Sequence, residues 1–344
     1  MTYPVVYRKY NEIIRKVCGT MIVAFLDLLG FSALLRTNIE VALDNMNSFN
    51  NVIKTRVIDN KYYPIEKCKD NYPNDVEFHK FVEKSSVTAF EQMISFSDSL
   101  VLGGTNYDMF IKQLTNFISS VYIEYSEPFN RTFSDIHIVT THKVAEGYKD
   151  GSIRYHNAFP ILFRGGIAVG DSVGFFDEYH IKNSELKLSS LNVMGTTYLN
   201  AVKLEASRKG PRLFCDKSVV DIVNDETKKL IKLVDEEKSL YEIVWTIEGC
   251  EATGCCASNK WENVVDRIHD KMLPSAIKLY QYYRNDKCLE PQYKELLKLV
   301  CEGIVKYAQD ECNRANDVID YINSILEKKQ IPLINISILN GFLA

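Results

Sequence analysis

The sequence predicts an α/β fold in which a β-α-β-β-α-β core is followed by a mainly helical region. Short apolar runs that end in polar turns indicate strands, and they alternate with amphipathic stretches that have the periodicity of helices. Long stretches of the helical kind then fill the C-terminal part of the chain. We therefore expect a core at residues 1–235 and a mainly helical region at residues 236–344.

The core begins with MIVAFLDLLGFSALL, residues 21–35. The apolar run from Met21 predicts a buried strand that ends at the carboxylate of Asp27, and Gly30 then opens a helix. A carboxylate at the end of a buried strand is costly unless a hydrogen bond, a helix N-terminus or a cation satisfies it. The apolar stripe of the helical stretch comprises Leu34, Leu35, Leu43, Met46, Phe49 and Ile53.

The next predicted elements are two strands and a helix. Residues 56–84 are polar and predict a surface insertion, whereas residues 88–104 predict a strand pair folded about a turn at 97–99. A helix is expected at residues 107–125, because its apolar residues share one side. Residues 129–160 are polar and are expected to be irregular.

A second strand pair is expected at residues 161–176, followed by a helix at 195–207 and the short strand RLFCD. The resulting order is that of a ferredoxin-like sheet with helices on one face. Amphipathic stretches at 273–284, 293–309 and 315–328 predict helices that form a separate appendage.

Composition and charge exclude several classes of protein. Hydrophobic and charged residues make up 46% and 25% of the 344 residues, and the net charge of -4 argues against a nucleic-acid binder. No apolar run reaches the roughly 18 residues that span a membrane, and the start lacks a secretion signal. The nine cysteines lack the spacing of a disulfide framework, so we expect a cytoplasmic protein with reduced thiols.

Known zinc and nucleophile motifs gain no support from the sequence. The cluster Cys250-x4-Cys255-Cys256 lacks paired C-x2-C spacing, and the only later histidine is His269, so we interpret these cysteines as structural thiols. A phosphate-binding G-x-x-x-x-G-K-[ST] loop and a G-x-S-x-G elbow are also missing from the sequence.

Asp27 and Asp98 are the candidate chemical pair. The end of the first strand and the turn between the next two strands are neighbours in a β-α-β-β fold, so the two carboxylates can converge. Converging carboxylates repel unless a proton or a divalent cation lies between them, and Mg²⁺ suits such a pair. The alternative is that Asp27 caps the following helix and Asp98 serves the turn. The glycine in LLGF favours the first interpretation, because backbone N–H groups at a helix start can bind phosphate.

Four motifs resemble those of class III nucleotide cyclases, in the same order along the chain. FLDLLGF resembles the first metal motif of that family, and SFSDSLV resembles its second metal turn. FRGGIAVGD resembles the Arg-x-Gly-Ile-x-x-Gly strand, and GTTYLNAVKLEAS resembles the helix that carries an Asn and an Arg for the transition state. The resemblance covers roughly residues 20–216.

The resemblance implies a ferredoxin-like class III cyclase core that works as a homodimer with active sites at the interface. It implies that Asp27 and Asp98, with the backbone carbonyl of Leu28, bind two Mn²⁺ or Mg²⁺ ions. One ion would activate the ribose 3′-hydroxyl, and the other would hold the leaving pyrophosphate. The N–H groups of Leu29, Gly30, Phe31 and Ser32 would bind the β- and γ-phosphates.

The chain departs from adenylate cyclases at the base-reading and transition-state positions. Ile94 occupies the position of the purine-reading Lys, and Asn192 that of its partner Asp. The transition-state Asn falls on Leu199, next to Asn200, and the transition-state Arg falls on Lys203, which can still stabilise phosphate charge. Lys203 and Asn192 would act across the dimer interface.

These departures, with the long insertion before Asp98 and the strand that contains Arg164, resemble the pyrimidine cyclases of bacterial anti-phage Pycsar systems. The resemblance implies conversion of UTP, or alternatively CTP, to a cyclic nucleotide that a separate effector protein reads. Arg164 has two interpretations, a structural pair with a carboxylate or a contact to phosphate or base.

Two rival functions remain open from the sequence. One is an adenylate or guanylate cyclase with an unusual base pocket. The other is a non-catalytic module that binds a nucleotide or a partner and signals through the helical C-terminal region. The two carboxylates of Asp27 and Asp98 argue against the second rival, because binding alone does not need them.

Overall fold

The structure is a computed structural model that describes most of the chain. The described residues are 6–8, 19–59, 69–130, 136–140, 143–147, 152–157, 160–181, 187–251, 259–333 and 340–343.

The helices and strands have the following bounds. The strands are β1 (Val6–Arg8), β2 (Gly19–Leu28), β3 (Gln92–Phe96), β4 (Ser99–Gly104), β5 (Ile136–Thr140), β6 (Lys143–Gly147), β7 (Ile153–Asn157), β8 (Phe163–Ile181), β9 (Lys187–Met194), β10 (Leu213–Cys215), β11 (Ile231–Asp235) and β12 (Leu240–Ile243). The helices are α1 (Phe31–Thr37), α2 (Ile39–Val52), α3 (Val76–Ser85), α4 (Tyr107–Asn130), α5 (Thr196–Glu205), α6 (Lys217–Val220), α7 (Asp225–Lys228), α8 (Thr246–Glu251), α9 (Lys260–Asp266), α10 (Leu273–Tyr283), α11 (Glu290–Cys312) and α12 (Ala315–Lys328). Single π-helical segments continue α2 and α9, at Ile53–Ile58 and Arg267–Lys271.

The main sheet is built around β2. This strand is antiparallel to β8 on one side and to β4 on the other, and β10 runs parallel to β8. Within the described residues the strand order is β11-β12-β10-β8-β2-β4-β3, and β1 and β9 also pair with β8. The chain order β2, α1–α2, β3, β4, α4, β8 confirms the predicted α/β fold with its β-α-β-β-α-β core.

Helices cover both faces of this sheet, which corrects the expectation of a single covered face. Side chains of a strand alternate between the two faces. Ile22 and Leu26 of β2 therefore join the main core with α4, while Val23 and Phe25 join a smaller cluster with Ala201 of α5. Helix α5 thus packs on the face of the sheet opposite the larger core.

The expected strand pair at 161–176 is wrong, because the segment belongs to the single long strand β8. Its glycines provide room for neighbours instead of a turn. A Cβ atom on Gly166 would lie 1.9 Å from the carbonyl oxygen of Ala201, and one on Gly170 would lie 2.8 Å from Oγ1 of Thr197. Both contacts come from α5, so the glycines let this helix approach the sheet closely.

Two polar stretches contain more regular structure than the sequence suggests. Within 129–160, the strands β5, β6 and β7 form an antiparallel sheet of their own. Their β-branched and aromatic residues, such as Ile136 and Tyr155, favour strands although the surrounding residues are polar. Within 56–84, Asp75 caps helix α3 by accepting a hydrogen bond from the N–H of Phe78.

The C-terminal helices share the main core with the sheet. The hydroxyl of Tyr122 on α4 donates to the carbonyl of Met272, and Ser119 donates to the carbonyl of Trp245.

The boundary expected at residues 235/236 falls in the turn between β11 and β12. Helices α10, α11 and α12 lie close to the predicted positions. In the part of the chain that the structure describes, no helix has the length and apolar character needed to cross a membrane.

The apolar stripe of α1, α2 and the π-helical segment that follows is confirmed at Leu34, Phe49 and Ile53, whereas Leu35 and Leu43 are exposed. We expect Leu34→Ala to lower the free energy of unfolding by about 3 kcal/mol, because it leaves a cavity in the core. The neighbouring Leu35→Ala should cost less than about 1 kcal/mol, because the side chain contacts solvent. Urea unfolding measures both values, and similar values for the two variants would contradict the assignment of faces.

Candidate functional site

Asp27 lies on the central strand with a partner on each side. In the register of the sheet it is directly opposite Ser99 of β4 and directly opposite Arg164 of β8. Alternation along β2 places Asp27 on the same face as Phe25, which is the face that α5 covers. The carboxylate of Asp27 therefore lies near the end of β2, between the side chains of Ser99 and Arg164.

Both oxygens of the Asp27 carboxylate accept hydrogen bonds. Oδ2 accepts from Nε and Nη2 of Arg164 at 3.0 and 2.8 Å, and Oδ1 accepts from the hydroxyl of Ser99 at 3.2 Å. Burial raises the pKa of Asp27, and the charge of Asp98 adds to the rise, while Arg164 and Ser99 oppose it. The carboxylate has an unfavourable negative neighbour, so a further positive charge would stabilise it.

Asp98 lies beside Asp27 because the turn between β3 and β4 is fixed to the end of β2. Ser97 adopts a left-handed conformation, with φ of 52°, which closes the turn. The carbonyl of Asp98 then accepts the N–H of Leu28 at 2.9 Å. The side chain of Asp98 is half-buried, so it is accessible to solvent and to a ligand.

Glu205 is a fourth charged residue of this cluster, and the sequence reasoning missed it. It lies at the end of α5, and its Oε1 is 2.5 Å from Nε of Arg164. Burial raises the pKa of Glu205; Arg164 opposes the rise and the charge of Asp27 adds to it. The spacing of Ala201 and Glu205 places both on one face of α5, because residues four apart share a helix face. Which face is buried depends on how α5 docks on the sheet, so no sequence signal pointed to Glu205.

The turn after β2 offers backbone donors. Gly30 has φ of 84°, a conformation that favours glycine, and it precedes the first turn of α1. The N–H of Leu29 donates to the carbonyl of Leu162 at 2.8 Å, so that donor is already in use. The N–H groups of Phe31 and Ser32 belong to the first helical turn, where no intrahelical acceptor exists.

Lys203 lies away from Asp27 within one chain. It precedes Glu205 by two residues on α5, so the two side chains point about 200° apart around the helix axis. Lys203 is exposed and lines a cleft with Arg208 and Lys238. The other lining residues are Leu204, Ser207, Asp235 and Leu240.

The remaining predicted residues are spread along the α5 face. Leu199 and Asn200 are exposed on α5, and Ile94 of β3 packs partly buried against the cluster that contains Phe25. Asn192 lies on β9, where its backbone is opposite Phe175, but its side chain is outside the described part. The structure therefore does not bring Lys203 or Leu199 to Asp27 in a single chain.

The cysteine cluster and its surroundings provide no metal site in the described part. Cys250 is a buried thiol whose pKa burial raises to about 12, while Cys255 and Cys256 lie outside the described residues. No group of three or more His, Cys, Asp or Glu side chains in the described ranges is arranged to hold a metal ion.

The donors around Asp27 nevertheless fit a hard divalent cation that keeps some of its water. Two carboxylates, from Asp27 and Asp98, and the backbone carbonyl of Leu28 offer only oxygen atoms. Mg²⁺ typically takes one or two carboxylates and completes its coordination with water and substrate phosphates. Arg164 is the competing cation, because it already binds Oδ2 of Asp27.

No protein-family model matches the chain, and no curated protein matches it. Among solved structures it is similar to the adenylyl cyclase CyaB from P. aeruginosa, with 11% identity and a TM-score of 0.35 over 66% of this chain and 94% of that chain. It is also similar to the guanylyl cyclase Cya2, with 10% identity and a TM-score of 0.35 over 67% of this chain and 94% of that chain. A third similar structure is the guanylate cyclase domain of RhGC from Catenaria anguillulae in complex with GTP, with 11% identity and a TM-score of 0.31 over 67% of this chain and 95% of that chain. At such low identity and TM-score, an activity has to be inferred from the residues of the site.

Proposed function

We propose that the chain is a nucleotide cyclase that converts UTP to 3′,5′-cyclic UMP and pyrophosphate, with CTP as the alternative substrate. The observation that carries the proposal is the pair of carboxylates at the end of β2. Asp27 is half-buried there, and the backbone carbonyl of Asp98 accepts a hydrogen bond from the N–H of the next residue, Leu28. A helix start follows within a few residues. Carboxylates next to free N–H groups suit a nucleoside triphosphate with its divalent cation.

In this proposal Asp27, Asp98 and the carbonyl of Leu28 hold two Mn²⁺ or Mg²⁺ ions. When bound, the ions would supply the activation of the ribose 3′-oxygen and the charge stabilisation of the leaving pyrophosphate. The carboxylates of Asp27 and Asp98 would hold the ions at the end of β2. The N–H groups of Gly30, Phe31 and Ser32 would bind the phosphates, since that of Leu29 already donates to Leu162.

A second copy of the chain would complete the site. The face that carries Asp27 is incompletely covered, because Phe96 and Leu199 remain 46% and 55% exposed near its apolar cluster. Lys203 points out of this face and lies in a cleft with Arg208 and Lys238, which suits negative phosphates. We therefore propose a homodimer in which Lys203 and Asn192 of one copy act on the nucleotide held by Asp27 of the other.

The choice of a pyrimidine rests on two residues. Ile94 replaces a charged purine-reading residue with an apolar side chain, and Asn192 replaces the acidic partner. An apolar side chain at this place leaves a purine without its usual hydrogen bond, which disfavours that base. The resemblance to the Pycsar enzymes extends the proposal to a cytoplasmic anti-phage role, in which a separate effector protein reads the cyclic product.

One observation favours a second candidate function, a non-catalytic nucleotide-binding signalling module. Arg164 binds the Asp27 carboxylate, so a positive charge is already present where a metal ion would be needed. In such a module Arg164 and Asp27 would be a permanent structural pair. The two candidates differ in whether any product forms.

The test is incubation of the purified protein with Mn²⁺ and each of ATP, GTP, CTP and UTP separately, followed by mass spectrometry of the products. We expect cyclic UMP, or cyclic CMP under the alternative. A cyclic purine product would contradict the role given to Ile94 and Asn192. No product from any nucleotide, with a dimer and bound Mn²⁺ verified, would favour the signalling module.

A further inference from the structure

Arg164 lies between the half-buried carboxylate of Asp27 and the buried carboxylate of Glu205, and it cannot donate hydrogen bonds to every oxygen of both. Its Nε is 3.0 Å from Oδ2 of Asp27 and 2.5 Å from Oε1 of Glu205. Asp98 also acts electrostatically on Asp27, so the cluster contains three carboxylates and one guanidinium. The cluster therefore has an excess of negative charge, which a divalent cation could neutralise.

Glu205 is the incompletely satisfied member of this cluster. Its side chain is only 9% exposed, and its Oε1 accepts no hydrogen bond from the residues that the structure describes. A buried carboxylate oxygen without a hydrogen bond costs free energy. Asp27, in contrast, has hydrogen bonds to both of its oxygens. Arg164 therefore donates hydrogen bonds to Asp27, whereas it lies close to Oε1 of Glu205 without a hydrogen bond to it.

Arg164 has the freedom to exchange one carboxylate for the other. Its side chain is 37% exposed, against 17% for Asp27, so the guanidinium reaches solvent. Its backbone is fixed opposite Asp27 in the sheet, while Glu205 reaches it from α5 on the covering side. A small rotation of the guanidinium would therefore suffice to give Glu205 the hydrogen bonds that Asp27 now receives.

We propose that Glu205 is a positioning residue that takes over Arg164 when a divalent cation binds Asp27. This inference rests on the proposed function, since it supposes a cation at Asp27. In the cation-free protein Arg164 serves as the counter-ion of Asp27 and keeps its carboxylate in place. When a cation occupies the carboxylate, Arg164 pairs with Glu205, and the buried Oε1 gains its missing hydrogen bond. The Arg164 charge then no longer competes with the cation for Asp27.

The test is Mn²⁺ binding to the full chain without nucleotide, measured by electron paramagnetic resonance. Glu205→Gln keeps the size of the side chain but removes its charge, so Arg164 should remain on Asp27. We expect the Mn²⁺ affinity to fall about tenfold, because a charge-assisted pair is replaced by a neutral hydrogen bond. Glu248→Gln, which removes another buried carboxylate far along the chain, is the matched control and should leave the Mn²⁺ affinity unchanged.

The combination with Arg164→Gln distinguishes an exchange of partners from simple attraction between Glu205 and the cation. If Glu205 acts through Arg164, Glu205→Gln should have no further effect in the Arg164→Gln background. A tenfold loss in both backgrounds would overturn the proposal, as would an unchanged affinity in the single variant. Wild-type protein without Asp27-dependent Mn²⁺ binding would overturn the proposed function together with this inference. Mn²⁺ binding that depends on Asp27 but has the same affinity in Glu205→Gln would overturn this inference alone.

A measurement on the wild-type protein covers the case in which Glu205→Gln does not fold. The Nε–H signal of Arg164, assigned with Arg164→Lys, can be followed by nitrogen NMR during a titration with Mg²⁺. We expect the signal to shift and to stay protected from solvent exchange, because a second carboxylate takes over the donor. Loss of the signal into rapid exchange would mean that Arg164 is released to water, which would overturn the proposal.

Discussion

Asp27→Asn and Asp98→Asn are each expected to lower the rate of cyclic nucleotide formation about a thousandfold, which corresponds to about 4 kcal/mol of transition-state stabilisation. Both substitutions keep the shape of the side chain and remove the negative charge that a divalent cation needs. Asp27→Asn also weakens the pair with Arg164, so its thermal unfolding has to be measured beside the rate. A folded variant without activity separates the loss of chemistry from a loss of structure.

Asp171→Asn is the matched control for this pair. Asp171 is an exposed carboxylate on β8, where it lies opposite Thr20 near the other end of β2. The control removes the same charge from the same sheet at a distance from the site. The rate of cyclic nucleotide formation should stay within about twofold of the wild-type rate, since an exposed charge is largely screened by solvent. Full activity in Asp27→Asn would contradict the assignment of the site.

A mixture of two inactive variants tests whether the site lies between copies. In random dimers of Asp27→Asn and Lys203→Ala chains, half of the dimers are mixed and contain one site with both native residues. The mixture should therefore recover about a quarter of the wild-type activity, as a two-fold symmetric interface requires. A mixture as inactive as its components would show that Asp27 and Lys203 do not act across an interface.

Gly166→Ala is expected to lower the free energy of unfolding by about 3 kcal/mol or more, because the overlap involves backbone that cannot rotate away. The added Cβ would lie 1.9 Å from the carbonyl oxygen of Ala201 and 2.7 Å from the backbone nitrogen of Glu205. Relief of these contacts would move α5 away from the sheet. Glu205 would then lose its position beside Arg164, so the Mn²⁺ affinity should change together with the stability.

Gly103→Ala, on β4 of the same sheet, is the matched control. There the added Cβ would meet its nearest side-chain atoms, in Met21 and Gln92, at 3.5 and 3.6 Å, which is ordinary contact. We expect the free energy of unfolding to change by less than about 1 kcal/mol. Urea unfolding compares the two variants, and equal effects would contradict the close approach of α5 to β8.

Glycines in β8 illustrate where the sequence was ambiguous. The run FRGGIAVGD combines strand-forming residues with glycines, a pattern that suits either a turn or a strand with a close neighbour. Only the position of Ala201 and Thr197 on α5 decides for the second.

Leu34 and Leu35 show a second limit of sequence patterns. Helical periodicity assigned both residues to one apolar face, but the helix is interrupted at residue 38. Periodicity alone therefore could not show that only one of the two faces the core.

The candidate site was only partly predictable. The turn at 97–99 and the strand end at Asp27 could be located from local signals, and the β-α-β-β order brings them together. Glu205 could not be assigned to the site, because a glutamate at the end of an amphipathic helix is usually an exposed residue. Its burial follows from the docking of α5, which depends on the glycines of another element.

The sequence by itself determined the order of the core elements, the place of Asp27 near a strand end and the place of Asp98 in a turn, because hydrophobic periodicity and turn residues are local properties. The tertiary structure alone decided which groups surround Asp27. Arg164 lies 137 positions from Asp27 along the chain, and cross-strand register makes them partners. The docking of α5 on the second face then adds Glu205. Such contacts depend on the packing of whole elements, so no local pattern encodes them.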